Sequence, residues 1–348
     1  MIGSTQGSRT DRSSRGRRGT RTGPHSQGTA GIAPTQDGRR LHYQYKPATH
    51  DDHRVPAVVF ESGLACGRSY WAAVQRELAG SAPTIVYDRS GLGRSAPDNR
   101  PRTLRRLADD LIDVVDYVDE RLAPSAMVLV GHSWGGPIVR LAAADRPERI
   151  AGLVLLDPTD EGCGDLFTTA NRRANRRVQL LSVALARIGA LPLVYRSTLA
   201  ALPDDARHDF RVEGFTRAAM RTRGAELASY TTDLESLRAA DPDRPDLPMT
   251  IVSAASTSPG ISVRSRAALT AAHRSRTDRM PDGRHLVADC GHMVPTERPA
   301  TVAAEIARII AATACDIDAR GRRAGRPRAS AGHADSRTGP IESVSPPA

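Results

Sequence analysis

The feature that most constrains the fold is a regular alternation of short apolar runs with longer segments of helical periodicity. Leu104–Leu122 and residues 301–314 carry apolar residues at a 3.6-residue spacing, which indicates amphipathic helices. The runs are rich in β-branched residues and do not alternate with polar ones, a pattern typical of strands covered on both faces. Strands separated by helices predict an α/β protein with a mostly parallel sheet and helices on both faces. The predicted strands span residues 55–60, 83–87, 126–130, 150–156, 249–253 and 284–288, with residues 41–45 as an antiparallel edge strand.

One segment interrupts this alternation. Residues 160–246 carry helical patterns and no convincing strand, which predicts an all-helical lid insertion. The core is then predicted in two parts, residues 41–159 and 247–315. Residues 1–40 and 316–348 are rich in Gly, Ser, Pro and Arg and poor in apolar residues, so we expect two disordered tails.

The positive charge of the chain belongs mostly to these tails. The chain has 49 Lys and Arg against 39 Asp and Glu, and fourteen of the Arg lie in residues 1–40 and 316–348. The nearly neutral remainder argues against specific nucleic-acid binding and leaves only weak attraction of the tails to polyanions. The longest stretch without Asp, Glu, Lys or Arg, residues 122–139, contains two prolines and three glycines, so no transmembrane segment is expected. Four cysteines without a C-x-x-C pair predict reduced thiols and a cytoplasmic protein.

A candidate nucleophile lies between a predicted strand and a predicted helix. Gly131-His-Ser-Trp-Gly135 follows the strand ending at Val130, and this G-x-S-x-G pattern gains its meaning from that strand–turn–helix context. Glycine suits the flanking positions because the turn is too tight for larger side chains. We therefore expect Ser133 at the apex of the turn and at a helix N-terminus, which favours developing negative charge.

A serine hydroxyl is a weak nucleophile at neutral pH and needs a base. His292 is the strongest candidate, because it follows the last predicted strand and should emerge at the same sheet edge as Ser133. Other histidines fit less well: His208 and His273 are interpreted as solvated helix residues, and His132 lies inside the turn itself.

An acid should orient the imidazole of that base. Asp157 ends the strand before the lid, which keeps the order Ser, Asp, His and places the carboxylate at the catalytic edge. Asp160 is a second choice. Asp278 and Asp282 are less suitable because they precede the last strand, at the opposite end of the sheet.

The tetrahedral intermediate of an acyl transfer needs two backbone N–H donors for its oxyanion. Trp134, the residue after the nucleophile, is expected to supply one donor. The other is expected from Leu64, in the loop after the strand ending at Phe60, where Gly63 lets the backbone approach closely.

Taken together, these motifs resemble the α/β-hydrolase fold superfamily, in the branch of serine hydrolases with a helical lid. The resemblance covers residues 41–315 and implies a Ser–His–acid triad, a helix-flanked parallel sheet and no cofactor. The matching motifs, in the order of the family, are Glu61–Leu64, Tyr87–Ser95, Gly131–Gly136, Leu155–Asp157 and Gly291–His292.

Two positions depart from the family pattern. The usual His-Gly of the oxyanion loop is Ser62-Gly63 here, which should change the hydrogen bonding of the loop but keeps the backbone donor. The commonest acid position, after the strand containing Ile251, holds no Asp, and some members place the acid one strand earlier, at the position of Asp157. Ser133 also argues against epoxide hydrolases and haloalkane dehalogenases of this fold, which use aspartate there.

The expected function is therefore cleavage of an ester-type acyl bond of a small substrate through an acyl-enzyme. An acyltransferase, a carbon–carbon bond hydrolase and a non-hydrolytic binding protein remain alternatives. One apolar stripe of the lid favours an apolar substrate pocket, contact with a membrane surface, or simply packing of the lid on the core; it consists of Leu180, Leu181, Val183, Leu185 and Ile188. No metal site is expected, because no His or Cys spacing suits one.

Overall fold

A sheet with the strand order β1-β2-β4-β3-β5-β6-β7-β8 runs through the computed structural model, which describes residues 24–49, 55–78, 80–258 and 261–324. β1 and β2 pair antiparallel, as do β2 and β4, and every other neighbouring pair is parallel. The strands are β1 Thr29–Pro34, β2 Arg40–Lys46, β3 Ala57–Glu61, β4 Thr84–Tyr87, β5 Met127–His132, β6 Ile150–Leu156, β7 Met249–Ala254 and β8 Gly283–Ala288.

Helices cover both faces of this sheet. They are α1 Ala72–Leu78, α2 Leu104–Leu122, α3 Gly135–Asp145, α4 Thr169–Arg187, α5 Leu191–Val194, α6 Arg196–Ala201, α7 Asp204–Asp209, α8 Arg217–Ala228, α9 Tyr230–Ala240, α10 Val263–Asp278, α11 Val294–Glu297 and α12 Pro299–Ala324. Alternate residues of β5 enter different cores: Leu129 packs with α2 and α3, and Val130 packs with α1 and α12. The central strands are therefore apolar on both faces, which explains their unalternating sequence and confirms the predicted fold class.

The predicted strands all form, but two predicted boundaries are wrong. Residues 29–34, assigned to a disordered tail, form β1, which makes β1 the edge strand and β2 an inner one. The antiparallel ladder with β2 satisfies the backbone of this segment, and Ala33 of β1 and Leu41 of β2 are fully buried. At the other end, α12 continues through residues 316–324, which were also assigned to a tail. The remaining tail residues, 1–23 and 325–348, lie outside the described part of the chain.

The segment between β6 and β7, residues 160–246, is called the helical insertion here. Every one of its residues is described, and none lies in a strand. Its helices are α4 to α9, together with a 3₁₀ turn at Gly164–Phe167 and a π-helical turn at Phe210–Gly214. Within the predicted apolar stripe, Val183 and Leu185 pack against a buried cluster that contains Leu92 and Leu191, whereas Leu180, Leu181 and Ile188 are exposed, so the stripe packs only in part.

Two buried arginines of the core bind the helical insertion. Arg68, which is fully buried before α1, pairs with Asp209 at 2.6 Å and with Glu213 at 2.5 Å. Arg89, which follows β4, pairs with Glu226 on α8 at 2.9 Å. A buried charge that loses its partner is strongly destabilising, so these pairs hold the insertion in a defined position over the strand ends.

The helices of the described residues include none with the length and apolar content that a bilayer span requires. Cys66, Cys163 and Cys290 are free thiols. The cytoplasmic location expected from the cysteine pattern stays a prediction.

The burial of β5 gives a first test of this architecture. Leu129 is fully buried at the centre of the sheet, so the Leu129→Ala variant loses apolar contacts and leaves a cavity. We expect the free energy of unfolding in urea to fall by about 2–5 kcal/mol. Leu180 is 61% exposed, so Leu180→Ala is the matched control and should change stability by less than about 0.5 kcal/mol. Equal effects of the two substitutions would contradict the assignment of β5 to the core.

Candidate active site

Ser133 lies in a tight turn between β5 and α3, and its backbone has a φ of +53°. This left-handed conformation is uncommon for a residue with a side chain and is characteristic of a nucleophile turn. Hydrogen bonds hold the turn from both sides: Ser133 N–H donates to the carbonyl of Leu156 at 3.0 Å, and Thr159 N–H donates to the carbonyl of Ser133 at 2.9 Å. The serine is thus fixed to the end of β6, the strand that carries Asp157.

The glycines of the motif are required by close contacts. A Cβ atom at Gly131 would lie 2.6 Å from the carbonyl oxygen of Gly135. A Cβ atom at Gly135 would lie 2.3 Å from the carbonyl oxygen of Glu61, at the end of β3. Both distances are shorter than a carbon can tolerate, so the chain can enter α3 at this angle only without side chains at these positions.

Three of the predicted site residues form one hydrogen-bonded chain. His292, in the loop between β8 and α11, donates from Nδ1 to Asp157 Oδ2 at 2.6 Å. Its Nε2 is then free to accept from the hydroxyl of Ser133 at 3.0 Å. In this arrangement the imidazole can remove the proton of Ser133 while the carboxylate stabilises the resulting positive charge.

Asp157 is almost fully buried and has several partners besides His292. Arg266, on α10, donates to both of its oxygens at 2.5 and 2.9 Å, and the N–H of Ala254 donates at 3.1 Å. Burial raises the pKa of Asp157, but the hydrogen bonds and charges of His292 and Arg266 outweigh that effect and hold the pKa well below its usual range. The carboxylate is therefore ionised at neutral pH, as the chain to Ser133 requires.

Asp160, the second choice for the acid, has a different partner. Both of its oxygens accept from Arg276 on α10 at 2.8 Å, and it makes no hydrogen bond to His292. Burial raises the pKa of Asp160, and the Arg276 guanidinium more than offsets this and keeps the pKa well below its usual range. Asp160 thus belongs to a buried ion-pair cluster that also contains Arg140, Glu161 and Asp243.

The loop that carries His292 is itself held in place. His132, which precedes Ser133, donates from Nε2 to the carbonyl of His292 at 2.8 Å. Burial lowers the pKa of His132 to about 3, so this ring is neutral at physiological pH. The N–H of His292 donates to Ser258 at 3.0 Å, and the N–H of Gly291 donates to Glu297 at 2.7 Å.

The loop after β3 approaches Ser133 at Gly63, where a Cβ atom would lie 3.1 Å from the Ser133 Cβ. Leu64 is the next residue, and Ala65 has a φ of +62°. Trp134 lies between Ser133 and the first residue of α3, and its ring is buried and stacked on Tyr230 with centroids 4.9 Å apart. Of the two predicted oxyanion residues, Trp134 follows the serine directly, and Leu64 follows the glycine that approaches it.

Arg89 fixes the position of this loop through hydrogen bonds to its backbone. Its guanidinium donates to the carbonyls of Ser62 at 2.5 Å and Gly63 at 2.9 Å, and it also pairs with Glu61 and Glu226. Fixing the carbonyls in this direction fixes the peptide planes of the loop, and with them the direction of the following N–H groups. Arg89 thereby connects the loop beside Ser133 to α8 of the helical insertion.

Ser62, one of the two departures from the family pattern, is hydrogen-bonded within the core. The indole N–H of Trp71 donates to the Ser62 hydroxyl at 2.9 Å, and both side chains are buried. A small hydroxyl at this position thus anchors the loop on the 3₁₀ turn that precedes α1.

Three residues with defined positions around the site are missing from the sequence-based predictions. Arg89 lies in the quoted motif Tyr87–Ser95, but nothing in the sequence places its side chain under another loop. Arg266 lies on a helix rich in polar residues, where an arginine normally indicates an exposed face. His273, interpreted as solvated, is fully buried on the same helix and bonds the Pro158 carbonyl and Ser253. His208 is exposed, as expected.

An open cavity adjoins the loop beside Ser133. Leu64, Ala65 and Cys66 form one side of it, and the helical insertion forms the other. Its volume is about 20 Å3. The described residues contain no group of three or more His, Cys, Asp or Glu arranged to hold a metal ion.

Comparison with known proteins identifies the family. The model of the alpha/beta hydrolase family matches residues 58–305, which is most of the chain, and the protein belongs to this family. The coarse function of the family, hydrolysis, agrees with the site.

Curated relatives match only part of the chain. A putative carbamate hydrolase, RutD, of Caulobacter vibrioides is 35% identical over 124 residues, which are 35% of this chain and 43% of that protein. The chain spans less than half the length of the curated relatives that it matches first.

Solved structures match over most of the chain at low identity. A thermophilic esterase from Thermogutta terrifontis is 19% identical with a TM-score of 0.58, covering 82% of this chain and 99% of its own. A putative acyltransferase from Salmonella enterica is 15% identical with a TM-score of 0.64, covering 82% of this chain and 95% of its own. These similarities establish the fold.

Because the pKa values of Asp157 and Asp160 are depressed, we expect the stability of the fold to depend on pH in the acid range. Both native pKa values lie below that of aspartate in an unfolded chain, about 3.9, so the ionised carboxylates stabilise the fold above that pH. This stabilisation is lost as the pH falls through the native pKa values. We expect the urea-unfolding free energy to decrease between roughly pH 5 and pH 2, and to decrease less over that range in the Asp160→Asn variant. Identical pH slopes in the two proteins would contradict the native ionisation of Asp160.

Proposed function

We propose that the protein is a serine hydrolase that cleaves an ester-type acyl bond of a small substrate through an acyl-enzyme. The observation that carries this proposal is the hydrogen-bonded chain from Ser133 through His292 to Asp157, with distances of 3.0 and 2.6 Å. Membership of a hydrolase family and the ionised state of Asp157 support it.

In the first step, Ser133 Oγ attacks the acyl carbon and His292 Nε2 takes its proton. The carbonyl oxygen becomes an oxyanion, for which the backbone N–H groups of Leu64 and Trp134 are the proposed donors. His292 then gives the proton to the leaving alcohol, and the C–O bond breaks. The acyl group remains on Ser133.

In the second step, His292 takes a proton from a water molecule, which attacks the acyl carbon. The second oxyanion collapses, the bond to Ser133 Oγ breaks, and the proton returns to the serine. Asp157 keeps the imidazole in the tautomer that presents Nε2 to Ser133 throughout.

The acid position is unusual for the family but consistent with the local structure. Asp157 has a φ of +40° and its N–H donates to the carbonyl of Val252 on β7 at 2.7 Å. This bend turns the side chain toward the loop of His292. The position after β7, where the family more often carries its acid, instead contributes Ser258 as a support for that loop.

Replacement of the nucleophile is the primary test. In the Ser133→Ala variant, kcat for 4-nitrophenyl esters should fall by about 10⁴-fold or more, because no attacking oxygen remains. Ser81 is exposed and remote from the turn, so Ser81→Ala is a control that should keep wild-type activity. Wild-type kcat in Ser133→Ala with an unchanged circular dichroism spectrum would refute the proposal.

A second pair of variants separates the two candidate acids. Asp157→Asn should lower kcat by about 10³- to 10⁴-fold, because the amide cannot stabilise the imidazolium or its tautomer. Asp160→Asn removes an equally buried carboxylate that pairs only with arginine, so its kcat should stay within a few-fold of wild type. Both rates are compared at neutral pH on protein whose fold is checked by thermal unfolding. A larger loss of kcat in Asp160→Asn than in Asp157→Asn would indicate that Asp160, and not Asp157, acts on His292.

The products distinguish hydrolysis from its alternatives. Mass spectrometry of the reaction mixture should contain the free acid in amounts equal to the released alcohol. Transfer of the acyl group to an added alcohol or amine in preference to water would favour an acyltransferase, and stable binding without turnover would favour a non-hydrolytic protein.

A further inference from the structure

The helical insertion exposes a group of large apolar side chains to solvent. Of the eight large apolar side chains that are exposed among the described residues, five lie within residues 180–194. Their exposed fractions run from 58% to 76%. Single exposed apolar residues are ordinary on a protein surface, whereas a group of them indicates an interaction site. The five are Leu180, Leu181, Ile188, Leu193 and Val194.

α4, which carries the first of these residues, packs on the protein through its other side. Val183 and Leu185 contact a buried apolar cluster. Gln179 donates to the carbonyl of Met220 on α8 at 2.8 Å. The packing of α4 therefore does not require its two exposed leucines.

The same segment is strongly basic. No Asp or Glu occurs between Asp165 and Asp204, a stretch that contains six arginines. Exposed arginines elsewhere have acidic neighbours; Arg105 of α2, for example, pairs with Asp109 at 2.7 Å. Among the described residues, in contrast, no carboxylate lies within 4 Å of the six exposed guanidinium groups of Arg172, Arg173, Arg176, Arg177, Arg187 and Arg196.

Helix geometry places both kinds of side chain on one face of α4. At about 100° per residue, five exposed residues fall within an arc of roughly 100°. Arginines occupy the N-terminal half of this arc and apolar residues its C-terminal half. The surface is called the outer face of α4 here, and it consists of Arg173, Arg177, Leu180, Leu181 and Ala184.

A surface that is both aliphatic and basic suits an anionic bilayer. Leucines can enter the boundary between the headgroups and the acyl chains of the lipid. Arginines beside them can bind phosphate groups while their aliphatic stems lie along the apolar surface. The negative potential of such a membrane also attracts a segment that carries several arginines and no acid.

Other occupants fit this face less well. Single-stranded nucleic acid stacks its bases on aromatic rings, and α4 has no aromatic residue. A second copy of the chain would bring two clusters of like charge together. The ends of the chain, residues 1–23 and 325–348, contain more arginine than acid, so charge does not favour their binding either.

We propose that the outer face of α4, together with residues 188–194, binds the surface of a membrane that contains anionic phospholipids. α4 lies parallel to the bilayer plane, with its leucines in the interface and its arginines at the phosphate groups. This proposal goes beyond the hydrolytic function and does not depend on it, because neither Ser133 nor His292 takes part.

Sedimentation of the full chain with lipid vesicles tests this proposal. One set of vesicles is pure phosphatidylcholine, and the other is a mixture of phosphatidylcholine and phosphatidylglycerol. The partition coefficient should be about 10-fold or more higher for the anionic vesicles, and it should fall as the salt concentration rises. Equal partition into the two sets, or binding to neither, would overturn the proposal.

Charge variants locate the binding surface. Arg173→Gln/Arg177→Gln should lower partition into the anionic vesicles by about 10- to 30-fold, because two arginines leave the phosphate groups. Arg121→Gln/Arg274→Gln removes the same charge from exposed positions on α2 and α10 and should keep wild-type binding. Equal partition coefficients for the two double variants would assign the binding to the overall charge of the chain and overturn the proposal.

An apolar variant separates a membrane from other polyanions. Leu181→Ser should lower partition into the anionic vesicles by about 3- to 10-fold, because one apolar side chain leaves the interface. Val287→Ser, at a similarly exposed position on β8, should have no effect. If the arginine variant loses binding while Leu181→Ser keeps it, the face attracts polyanions in general and the proposal is wrong.

Fluorescence measures whether the outer face enters the lipid. The two tryptophans of the chain, Trp71 and Trp134, are fully buried, so the indole introduced by Leu181→Trp reports on this face. Its emission should shift to shorter wavelength when anionic vesicles are added, whereas Val287→Trp should give no shift. A shift that instead follows protein concentration without vesicles would indicate that a second copy covers the face, which would overturn the proposal.

Discussion

The rest of the site depends on the strained turn at Ser133. Its positive φ is held by hydrogen bonds to Leu156 and Thr159 and by glycines that let α3 pass close to β3. Such a conformation persists only where its surroundings enforce it. Because the same hydrogen bonds join the turn to the end of β6, the serine and Asp157 are fixed relative to each other by backbone, and only His292 comes from a separate loop. That loop is in turn bound by His132, the neighbour of the serine.

Buried arginines provide the second layer of organisation. Arg266 fixes the carboxylate of Asp157, Arg89 fixes the loop beside Ser133, and Arg68 fixes the π-helical turn of the insertion. Each of them joins segments far apart in the sequence. Apolar packing alone would hold these segments in contact but would fix their relative orientation only weakly. Breaking such a pair leaves a buried charge without a partner, so the arrangement favours one position of the helical insertion over the strand ends.

The sequence predicts the parts of this structure that depend on local patterns. The central strands, the turn at Ser133 and the helix Leu104–Leu122 follow from periodicity and from a short motif. The residues Ser133, His292 and Asp157 follow from the rule that polar groups after parallel strands share one edge, and the structure brings them within hydrogen-bond distance.

Long-range pairing accounts for what the sequence does not predict. β1 is short and contains a glycine and a proline, and it forms because β2 offers an edge, which only the folded sheet reveals. Arg266 and His273 lie on a helix whose composition indicates exposure, and they are buried because acceptors from β6 and β7 meet them there.

The most direct measurement of the central claim is the position of a covalent label. A fluorophosphonate forms a stable bond with an activated serine, and peptide mapping by mass spectrometry locates it. We expect one phosphonyl group per chain, on Ser133, with labelling that slows sharply in the Asp157→Asn variant. A chain that stays unlabelled under conditions that label a known serine esterase, or a label on another residue, would contradict it.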